Sequence, residues 1–259
     1  MKPLIILTRP ILDSESLTTK LKKLDFDVIQ IPFIEIRYKK VDFQTLEYLL
    51  GNCSSLIFTS VNAVRGLQMN IENNPSINPL LKKKEIYTIG EKTFDSARHF
   101  GGEMKSLPAA YHAKSLLELI IKENDRDKNF LFIAGNKSKR EIPNWFGENG
   151  VKCTTLEIYE NFFLKVSESQ KSLILESIVR KDACVIFHSP SGVNSFCEQI
   201  AKNDIKCALF AIGETTKEEI QKWKLKWGYE NEKWTVITPS ISNENELIKT
   251  VQEFFNQVF

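Results

Sequence analysis

Small hydroxyl-bearing and glycine residues follow nearly every short apolar run of this chain. Such runs predict buried strands, and open parallel sheets bind ligands at the carboxyl ends of their strands. Helices that begin there present unpaired backbone N–H groups and the positive end of the helix dipole. We therefore predict a site for a small molecule with several carboxylates or phosphates. Its candidate residues are Thr8, Arg9, Thr59, Ser60, Gly90, Gly135, Asn136, Ser189, Pro190, Ser191, Gly192, Gly213, Thr215 and Thr216.

A simpler interpretation is that these serines and threonines only cap helices. At any single position capping is the more economical explanation, because Ser and Thr are preferred N-cap residues. The repetition at so many strand ends favours ligand binding for the set as a whole.

The chain contains the same order of motifs twice. The first copy reads LIFTSVNAV from Leu56, followed by IYTIGEKT from Ile86. The second copy reads VIFHSPSGV from Val185, followed by LFAIGETT from Leu209. This repeat predicts two similar domains that face each other across a cleft, where small ligands usually bind.

Short apolar runs alternate with amphipathic helical patterns along the whole chain, which predicts α/β domains with parallel sheets of the flavodoxin or Rossmann type. Two segments, 34–38 and 156–165, instead read as half-exposed extended crossings between domains. The prediction is a discontinuous domain 1 at 1–33 plus 166–259, with domain 2 inserted at 39–155. The alternative is two consecutive domains split near residue 125. The discontinuous division is preferred because the first two strands would complete the sheet of the second half.

Composition describes an ordinary globular protein. The 259 residues are 42% hydrophobic and 26% charged, with a net charge of +2, which argues against a nucleic-acid partner. No apolar stretch approaches the roughly 20 residues that span a bilayer, and the N-terminal apolar run is shorter than the roughly 7–15 residues of a signal peptide core. We expect a cytoplasmic protein without a membrane partner, and a monomer is the simplest oligomeric state.

Several chemistries lack their motifs. Neither the dinucleotide-binding nor the P-loop glycine pattern occurs, and His99, His112 and His188 stand apart without metal-ligand spacing. The five cysteines include no Cys-x-x-Cys pair, so we expect reduced packing residues. The Trp- and Lys-rich stretch 223–234 is interpreted as a helix end and an exposed loop, with no function assigned.

Six motifs, in order and across nearly the whole chain, resemble the uroporphyrinogen-III synthase family. Each is weak alone, but the Gly-Asn-x-x-x-Arg-Glu, Ser-Pro-Ser-Gly and Ile-Gly-x-Thr-Thr motifs together are fairly specific. The motifs are FTSVNAV ending at Val64, IG at Ile89, GNKSKRE from Gly135, IY at Ile158, FHSPSG from Phe187 and IGETT from Ile212.

The resemblance implies two α/β domains joined by a two-stranded ladder. It also implies a lyase of tetrapyrrole synthesis that needs no cofactor and no metal. Its substrate would be hydroxymethylbilane, a linear tetrapyrrole with acetate and propionate side chains. The enzyme removes the terminal hydroxyl as water, inverts the last pyrrole ring through a spiro intermediate and closes the macrocycle. Without the enzyme, the bilane closes to the uninverted type I isomer.

Tyr159 matches the family's candidate acid and lies in the second crossing, where alternation would turn it towards the cleft. A phenol is protonated at neutral pH and can donate a proton to the departing hydroxyl. The alternative is a tyrosine that only packs one face of the crossing.

The substrate carboxylates would be held by Ser60, Ser189, Ser191 and Thr216, by neighbouring N–H groups and by Arg9. Asn62 belongs to the same motifs, and Lys137 and Arg140 would add positive charge, although exposed ion pairs contribute little. His188 departs from the family, which often has Thr or Phe there, and would alter contacts near the propionates. The competing hypothesis is a cytosolic two-lobed module that binds a polyanion without turning it over. A regulatory flavodoxin-like domain is disfavoured because it needs acidic strand ends.

Overall fold

The computed structural model describes residues 2–11, 13–72, 74–105, 113–122, 127–138, 140–200, 205–229 and 234–258. His112 and part of the Trp- and Lys-rich stretch lie outside these residues. The chain divides into two compact units, which are described separately. Unit 1 comprises Met1–Glu35 and Phe162–Phe259, and unit 2 comprises Ile36–Asn161. No helix in the described ranges has the length and apolar character needed to cross a membrane.

Strands and helices alternate through both units, so the predicted α/β fold class is confirmed. The strands are β1 (Leu4–Leu7), β2 (Asp27–Gln30), β3 (Ile34–Tyr38), β4 (Ser55–Phe58), β5 (Glu85–Thr88), β6 (Glu103–Met104), β7 (Phe130–Gly135), β8 (Cys153–Phe163), β9 (Ala183–Phe187), β10 (Ala208–Ala211) and β11 (Val236–Ile237). The helices are α1 (Glu15–Lys23), α2 (Phe43–Asn52), α3 (Val61–Glu72), α4 (Asn78–Leu81), α5 (Glu91–Ala97), α6 (Ala113–Lys122), α7 (Glu141–Glu148), α8 (Glu168–Ile178), α9 (Pro190–Ile200), α10 (Glu214–Lys226) and α11 (Glu244–Val258). Short 3₁₀ turns lie at Pro75–Ile77 and Arg98–Phe100.

The sheet of unit 1 has the order β11-β10-β9-β1-β2, and all of its neighbouring strands are parallel. Strand β1 lies between β2 and β9, so the first two strands of the chain complete the sheet of its C-terminal part. Both faces are buried, because Ile6 packs in one apolar cluster while Ile5 and Leu7 pack in another. Burial on both faces explains why these strands are continuous apolar runs.

The sheet of unit 2 has the order β3-β8-β7-β4-β5-β6 and is parallel from β8 to β6. Strand β3 runs antiparallel to β8, because Lys39 N–H donates to Ile158 O while Leu164 N–H donates to Phe33 O. The core of this unit also lies on both faces of its sheet. Sequence reasoning missed β6, which has two residues and no apolar run to mark it.

The repeated motifs occupy equivalent places in the two sheets. In unit 2 the first copy forms β4, α3, β5 and α5, and in unit 1 the second copy forms β9, α9, β10 and α10. The order β6-β5-β4-β7-β8 of unit 2 matches the order β11-β10-β9-β1-β2 of unit 1. The two units therefore share one strand order. The chain enters that order at different places, because β1 of unit 1 corresponds in position to β7 of unit 2.

All five cysteines are free, and four of them are buried; Cys153 is half-buried. Burial raises the pKa of every one of these thiols, and it raises the pKa of Cys153 and of Cys207 to about 12. The thiols therefore remain protonated at neutral pH, which fits the prediction of reduced packing residues.

We expect the native protein to react slowly with a disulfide reagent at pH 8, because the thiolate is the reacting form. A pKa of about 12 lowers the thiolate fraction of Cys153 roughly a thousandfold relative to a model thiol. The absorbance of the thiol that the reagent releases gives the rate of this reaction, which is measured in buffer and in denaturant. All five thiols should react only after unfolding, and a rapid stoichiometric reaction of the native protein would contradict their burial.

Candidate active site

Tyr159 lies at a bulge in β8. The register pairs Ala134 with Glu157 but Gly135 with Tyr159, so Ile158 is an extra residue on the β8 side. The bulge turns consecutive residues inward, and Ile158 and Tyr159 both pack in the same apolar cluster. Bulges re-aim side chains and are frequent next to active sites. Simple alternation along β8, from which the orientation of Tyr159 was predicted, therefore does not hold here.

The ring of Tyr159 passes directly over Gly135 at the end of β7. A Cβ atom on residue 135 would lie 2.4 Å from Cζ of Tyr159 and 2.9 Å from its hydroxyl oxygen. Only glycine leaves room for the ring in this place. The tyrosine side chain is 7% exposed, so its position is set by packing.

The hydroxyl group of Tyr159 lies 3.0 Å from Oγ of Ser60, within hydrogen-bond distance. Ser60 follows β4, and its Oγ also accepts a hydrogen bond from Ala63 N–H at 3.2 Å. Ser60 is therefore the N-cap of α3 as well as the partner of Tyr159. Either hydroxyl can donate in the Ser60–Tyr159 bond, so the serine can support a phenol or a phenolate.

Replacing Ser60 by alanine is expected to lower the free energy of unfolding by about 1–2 kcal/mol, since both a cap and a buried tyrosine partner are lost. The matched control is Ser189→Ala. Ser189 holds the corresponding place in the second copy and caps α9 through Gly192 N–H at 3.2 Å. Chemical denaturation of both variants isolates the Tyr159 bond as the additional loss at Ser60. Equal losses at the two serines would show that this bond contributes nothing to stability.

The chain from β7 to α7 forms a tight turn beside Tyr159. Ser138 Oγ accepts Gly135 N–H at 3.0 Å, Asn136 N–H donates to Tyr159 O at 3.1 Å, and Asn136 Oδ1 accepts Asn161 N–H at 3.1 Å. Asn136, Lys137 and Arg140 are exposed. Sequence reasoning missed Ser138, which the spacing Gly-x-x-Ser of a side-chain turn could have indicated.

A polar cavity of about 280 Å³ lies at this turn. Its lining includes Gly135, Asn136, Ser138, Arg140 and Glu157. Glu157 also pairs with Lys39 at 3.3 Å, which places one carboxylate among the groups that would attract an anion.

The remaining predicted residues of unit 2 lie at the carboxyl ends of β4 and β5. Thr59, Asn62 and Gly90 are half-buried, and Asn62 Oδ1 accepts a hydrogen bond from the Tyr38 hydroxyl at 3.2 Å. Gly90 has φ +83°, a left-handed conformation that favours glycine. Its backbone begins α5, as the sequence predicted.

In unit 1, the predicted residues gather at the carboxyl ends of β1 and β9. The Thr8 hydroxyl is buried and donates to Ile186 O at 2.8 Å. A Cβ on Gly192 would lie 3.5 Å from Ser189 Oγ and 3.8 Å from Thr8 Oγ1, which are ordinary contacts. His188, Pro190 and Ser191 are half-buried beside them. The structure thus brings the predicted β1 and β9 residues together at the beginning of α9.

Gly213, Thr215 and Thr216 form the start of α10 after β10. Thr215 is exposed, whereas Thr216 is 2% exposed, so the two adjacent threonines have different surroundings. A Cβ on Gly213 would lie 2.6 Å from Ser242 Oγ, so the chain approaches closely there. The Thr215 side chain is therefore the accessible one of the two.

Arg9 already has a partner in unit 1. Its guanidinium group lies 3.4 Å from a carboxylate oxygen of Glu244, whose other oxygen is 3.5 Å from Lys20 Nζ. The two side chains of the Arg9 pair are 18% and 15% exposed. Sequence reasoning missed Glu244, because 235 positions separate it from Arg9. A ligand carboxylate would have to compete with Glu244 for this arginine.

The candidate residues thus form one set in each unit, at the carboxyl ends of parallel strands. Such strand ends define an α/β protein that binds a small molecule. Unit 2 adds a buried phenol with a hydroxyl partner, which is a proton-donating group. The described residues contain no group of three or more His, Cys, Asp or Glu side chains placed to hold a metal ion.

Comparison with known proteins identifies the family within this class. A family model described as Uroporphyrinogen-III synthase HemD matches residues 15–237. A uroporphyrinogen-III synthase from Chlorobaculum parvum is 26% identical over 227 residues, covering 86% of this chain and 90% of that protein. A putative uroporphyrinogen-III synthase from Methanocaldococcus jannaschii is 29% identical over 235 residues, with the same coverage.

Solved structures with a similar fold include the Helicobacter pylori uroporphyrinogen-III synthetase, with a TM-score of 0.65, 15% identity and coverage of 98% of this chain and 100% of that chain. A mutant uroporphyrinogen III synthase from Thermus thermophilus gives a TM-score of 0.68 at 16% identity and covers 98% of each chain. At these identities the likeness concerns the fold. With the match of the family model over most of its length, the chain belongs to the uroporphyrinogen-III synthase family, and the prediction made from its motifs is confirmed.

Proposed function

We propose that this protein is a lyase that dehydrates and cyclises hydroxymethylbilane, with inversion of the last pyrrole ring, to give uroporphyrinogen III. The observation that carries the chemistry is the Tyr159 hydroxyl, which is held 3.0 Å from Ser60 Oγ above Gly135. Family membership supplies the reaction. These residues supply a proton donor whose position is fixed by packing.

Tyr159 gives its proton to the terminal hydroxyl of the bilane, which leaves as water. The carbon left behind is the electron-poor end of an azafulvene. The last pyrrole attacks it through its substituted carbon and forms the spiro intermediate. The bond from that carbon to the methylene bridge of the preceding pyrrole then breaks, which makes this methylene the electron-poor end of a second azafulvene. The free carbon of the last pyrrole attacks this methylene and closes the macrocycle. That free carbon then loses a proton, which balances the proton given to the hydroxyl and can restore the phenol. While Tyr159 is a phenolate, the Ser60 hydroxyl donates a hydrogen bond to its oxygen.

The strand ends of both units would hold the acetate and propionate groups. Ser189 and the beginning of α9 offer backbone N–H groups to anions, and the N-terminus of a helix favours negative charge. Near the beginnings of α9 and α10 in unit 1 lie Thr8, Ser191, Gly213 and Thr215. In unit 2, polar and positive groups are offered by Asn136, Lys137 and Arg140. Aligned backbone amides also explain how a chain of net charge +2 can bind a polyanion.

The proposal extends to the organisation of the protein. Units 1 and 2 would act as its two domains, with β3 and β8 as the connector, and the protein would work as a cytoplasmic monomer without a cofactor. Its place would be in tetrapyrrole biosynthesis. The reaction that supplies the substrate must produce an unstable linear bilane.

Turnover separates this proposal from a binding module. Hydroxymethylbilane generated in situ disappears by slow spontaneous closure, and its loss can be followed with and without the protein at one-hundredth of the substrate concentration. The proposal predicts acceleration that continues over many equivalents. Tight binding that stops at one equivalent, with no acceleration, would establish the two-lobed binding module instead.

A further inference from the structure

Two carboxamide side chains make the same contacts at equivalent places of the repeat. Asn70 in α3 and Gln199 in α9 each stand ten residues after the serine that caps their helix. Neither residue was singled out by its sequence. Their equivalence becomes visible only when the two copies are aligned and their hydrogen bonds are compared.

Each carboxamide holds the backbone of one crossing strand through two hydrogen bonds. Asn70 Nδ2 donates to Lys39 O at 2.9 Å and Asn70 Oδ1 accepts from Val41 N–H at 2.8 Å. These residues directly follow β3. The amide therefore contacts a carbonyl and the N–H two residues later, as a neighbouring strand would do.

In unit 1, Gln199 repeats this pattern on the other crossing. Gln199 Nε2 donates to Leu164 O at 2.8 Å, and Gln199 Oε1 accepts from Val166 N–H at 2.8 Å. Leu164 and Val166 directly follow β8. Gln199 Nε2 also lies 3.1 Å from Oγ of Ser195, which donates to Phe33 O at 3.0 Å. Helix α9 thus binds the backbone at the unit 1 end of both crossings, at Phe33 before β3 and at Leu164 after β8.

The equivalence extends to the ladder itself. Lys39 N–H donates to Ile158 O while Lys39 O accepts from Asn70, and Leu164 N–H donates to Phe33 O while Leu164 O accepts from Gln199. The two crossings therefore make the same pattern of hydrogen bonds, each within its own unit. Asn70 is 9% exposed, and its Nδ2 also donates to Gly66 O at 2.8 Å, so its amide orientation is fixed.

We propose that Asn70 and Gln199 are positioning residues for the reaction: each fixes the point at which one crossing strand joins its unit. Without the clamps, the ends of the connector would move relative to their sheets, and so would the candidate residues at the strand ends of that unit. The inference rests on the proposed function for its kinetic consequence. Its structural consequence can be measured without any activity.

The first variant is Gln199→Met, which keeps an unbranched side chain of similar length and removes both hydrogen bonds. We choose Gln199 because it is half-buried, whereas Asn70 is buried and its loss threatens folding. Asn70→Asp is the second variant, because a carboxylate still accepts from Val41 N–H but cannot donate to Lys39 O. The controls are Glu198→Ala beside Gln199 and Met69→Ala beside Asn70, both at exposed positions.

The structural readout is the distribution of distances between labels on the two units, measured by electron spin resonance. Tyr48→Cys in unit 2 and Leu225→Cys in unit 1 provide label sites, because these side chains are 68% and 57% exposed. The native thiols are protonated and largely buried, so they label slowly. Gln199→Met should broaden the distribution, and Glu198→Ala should leave it unchanged. An unchanged distribution in Gln199→Met would overturn the proposal whether or not the protein is a synthase.

The kinetic readout is the separate change of kcat and KM. Because misplacement by an ångström can cost up to about a hundredfold in rate, we expect kcat of Gln199→Met to fall roughly tenfold with little change of KM. The kcat of Asn70→Asp should also fall, and the kcat of the two controls should not change. If the wild-type protein is active and Gln199→Met has the same kcat, the clamp does not position the reacting groups.

Discussion

Replacing Gly135 by alanine is expected to remove most of the synthase activity and to lower the free energy of unfolding by about 1–3 kcal/mol, the usual cost of overpacking. The added Cβ would lie 2.4 Å from Tyr159 Cζ and 2.5 Å from Cε2. Both atoms belong to a rigid ring buried in the core of unit 2, which cannot bend away as a flexible chain end would. The ring must leave its place or the β7–β8 bulge must open. Either response separates the Tyr159 hydroxyl from Ser60.

The control for this variant is Gly147→Ala. Gly147 lies in α7, and a Cβ there would meet no atom within 4 Å. Gly147 is the next-to-last residue of α7, so alanine there gains at most the about 0.5–1 kcal/mol of a helix interior, and this control should be slightly stabilised and fully active. Thermal unfolding and initial rates of both variants test the contrast. A fully active Gly135→Ala protein would show that the position of the Tyr159 ring is irrelevant to the reaction.

Tyr159→Phe is expected to slow turnover by about 10²-fold, the lower end of the range for losing a general acid. The reaction should not be abolished, because the azafulvene cation is reactive by itself and the enzyme still imposes geometry on the ends of the bilane. Phenylalanine keeps the ring over Gly135, so packing changes little, and only the hydroxyl and its bond to Ser60 are lost.

The hydroxyl has two candidate roles, as a proton donor and as part of the packing around Tyr159. Initial rates across pH report the first role, and the free energy of unfolding reports the second. A proton donor lost from the active site lowers kcat while the variant remains folded. Unchanged turnover in a folded Tyr159→Phe protein would remove the acid role and leave Tyr159 as a packing residue. The Ser60→Ala variant should show a smaller rate effect, since it removes only the partner of the phenol.

The elements of the site were predictable where local sequence determines them. Apolar runs that end at Phe58 and Phe187 mark the strands, and the residues after them begin helices as expected. Gly90 precedes α5 and Gly101 follows the 3₁₀ turn at Arg98–Phe100, and both have a positive φ, which favours glycine. The motifs also identified the family, and most of them include residues at those strand ends.

The contacts within the site were not predictable, because they depend on pairs distant in sequence. Ser60 and Tyr159 are 99 positions apart, and Arg9 and Glu244 are 235 apart. The bulge at Ile158 has only a weak local sign, the adjacent apolar residues Ile158 and Tyr159, because Phe162 and Phe163 of the same strand are also adjacent. The roles of the predicted binding residues in both units remain predictions.

The isomer composition of the product shows whether the protein inverts the last pyrrole ring. Hydroxymethylbilane generated in situ is treated with the protein, the products are oxidised, and type I and type III porphyrins are separated by chromatography. We expect type III to predominate with the wild-type protein and its share to fall in Gly135→Ala. Type I product alone, from folded wild-type protein, would rule out the synthase activity, because ring inversion is the step that spontaneous closure cannot supply.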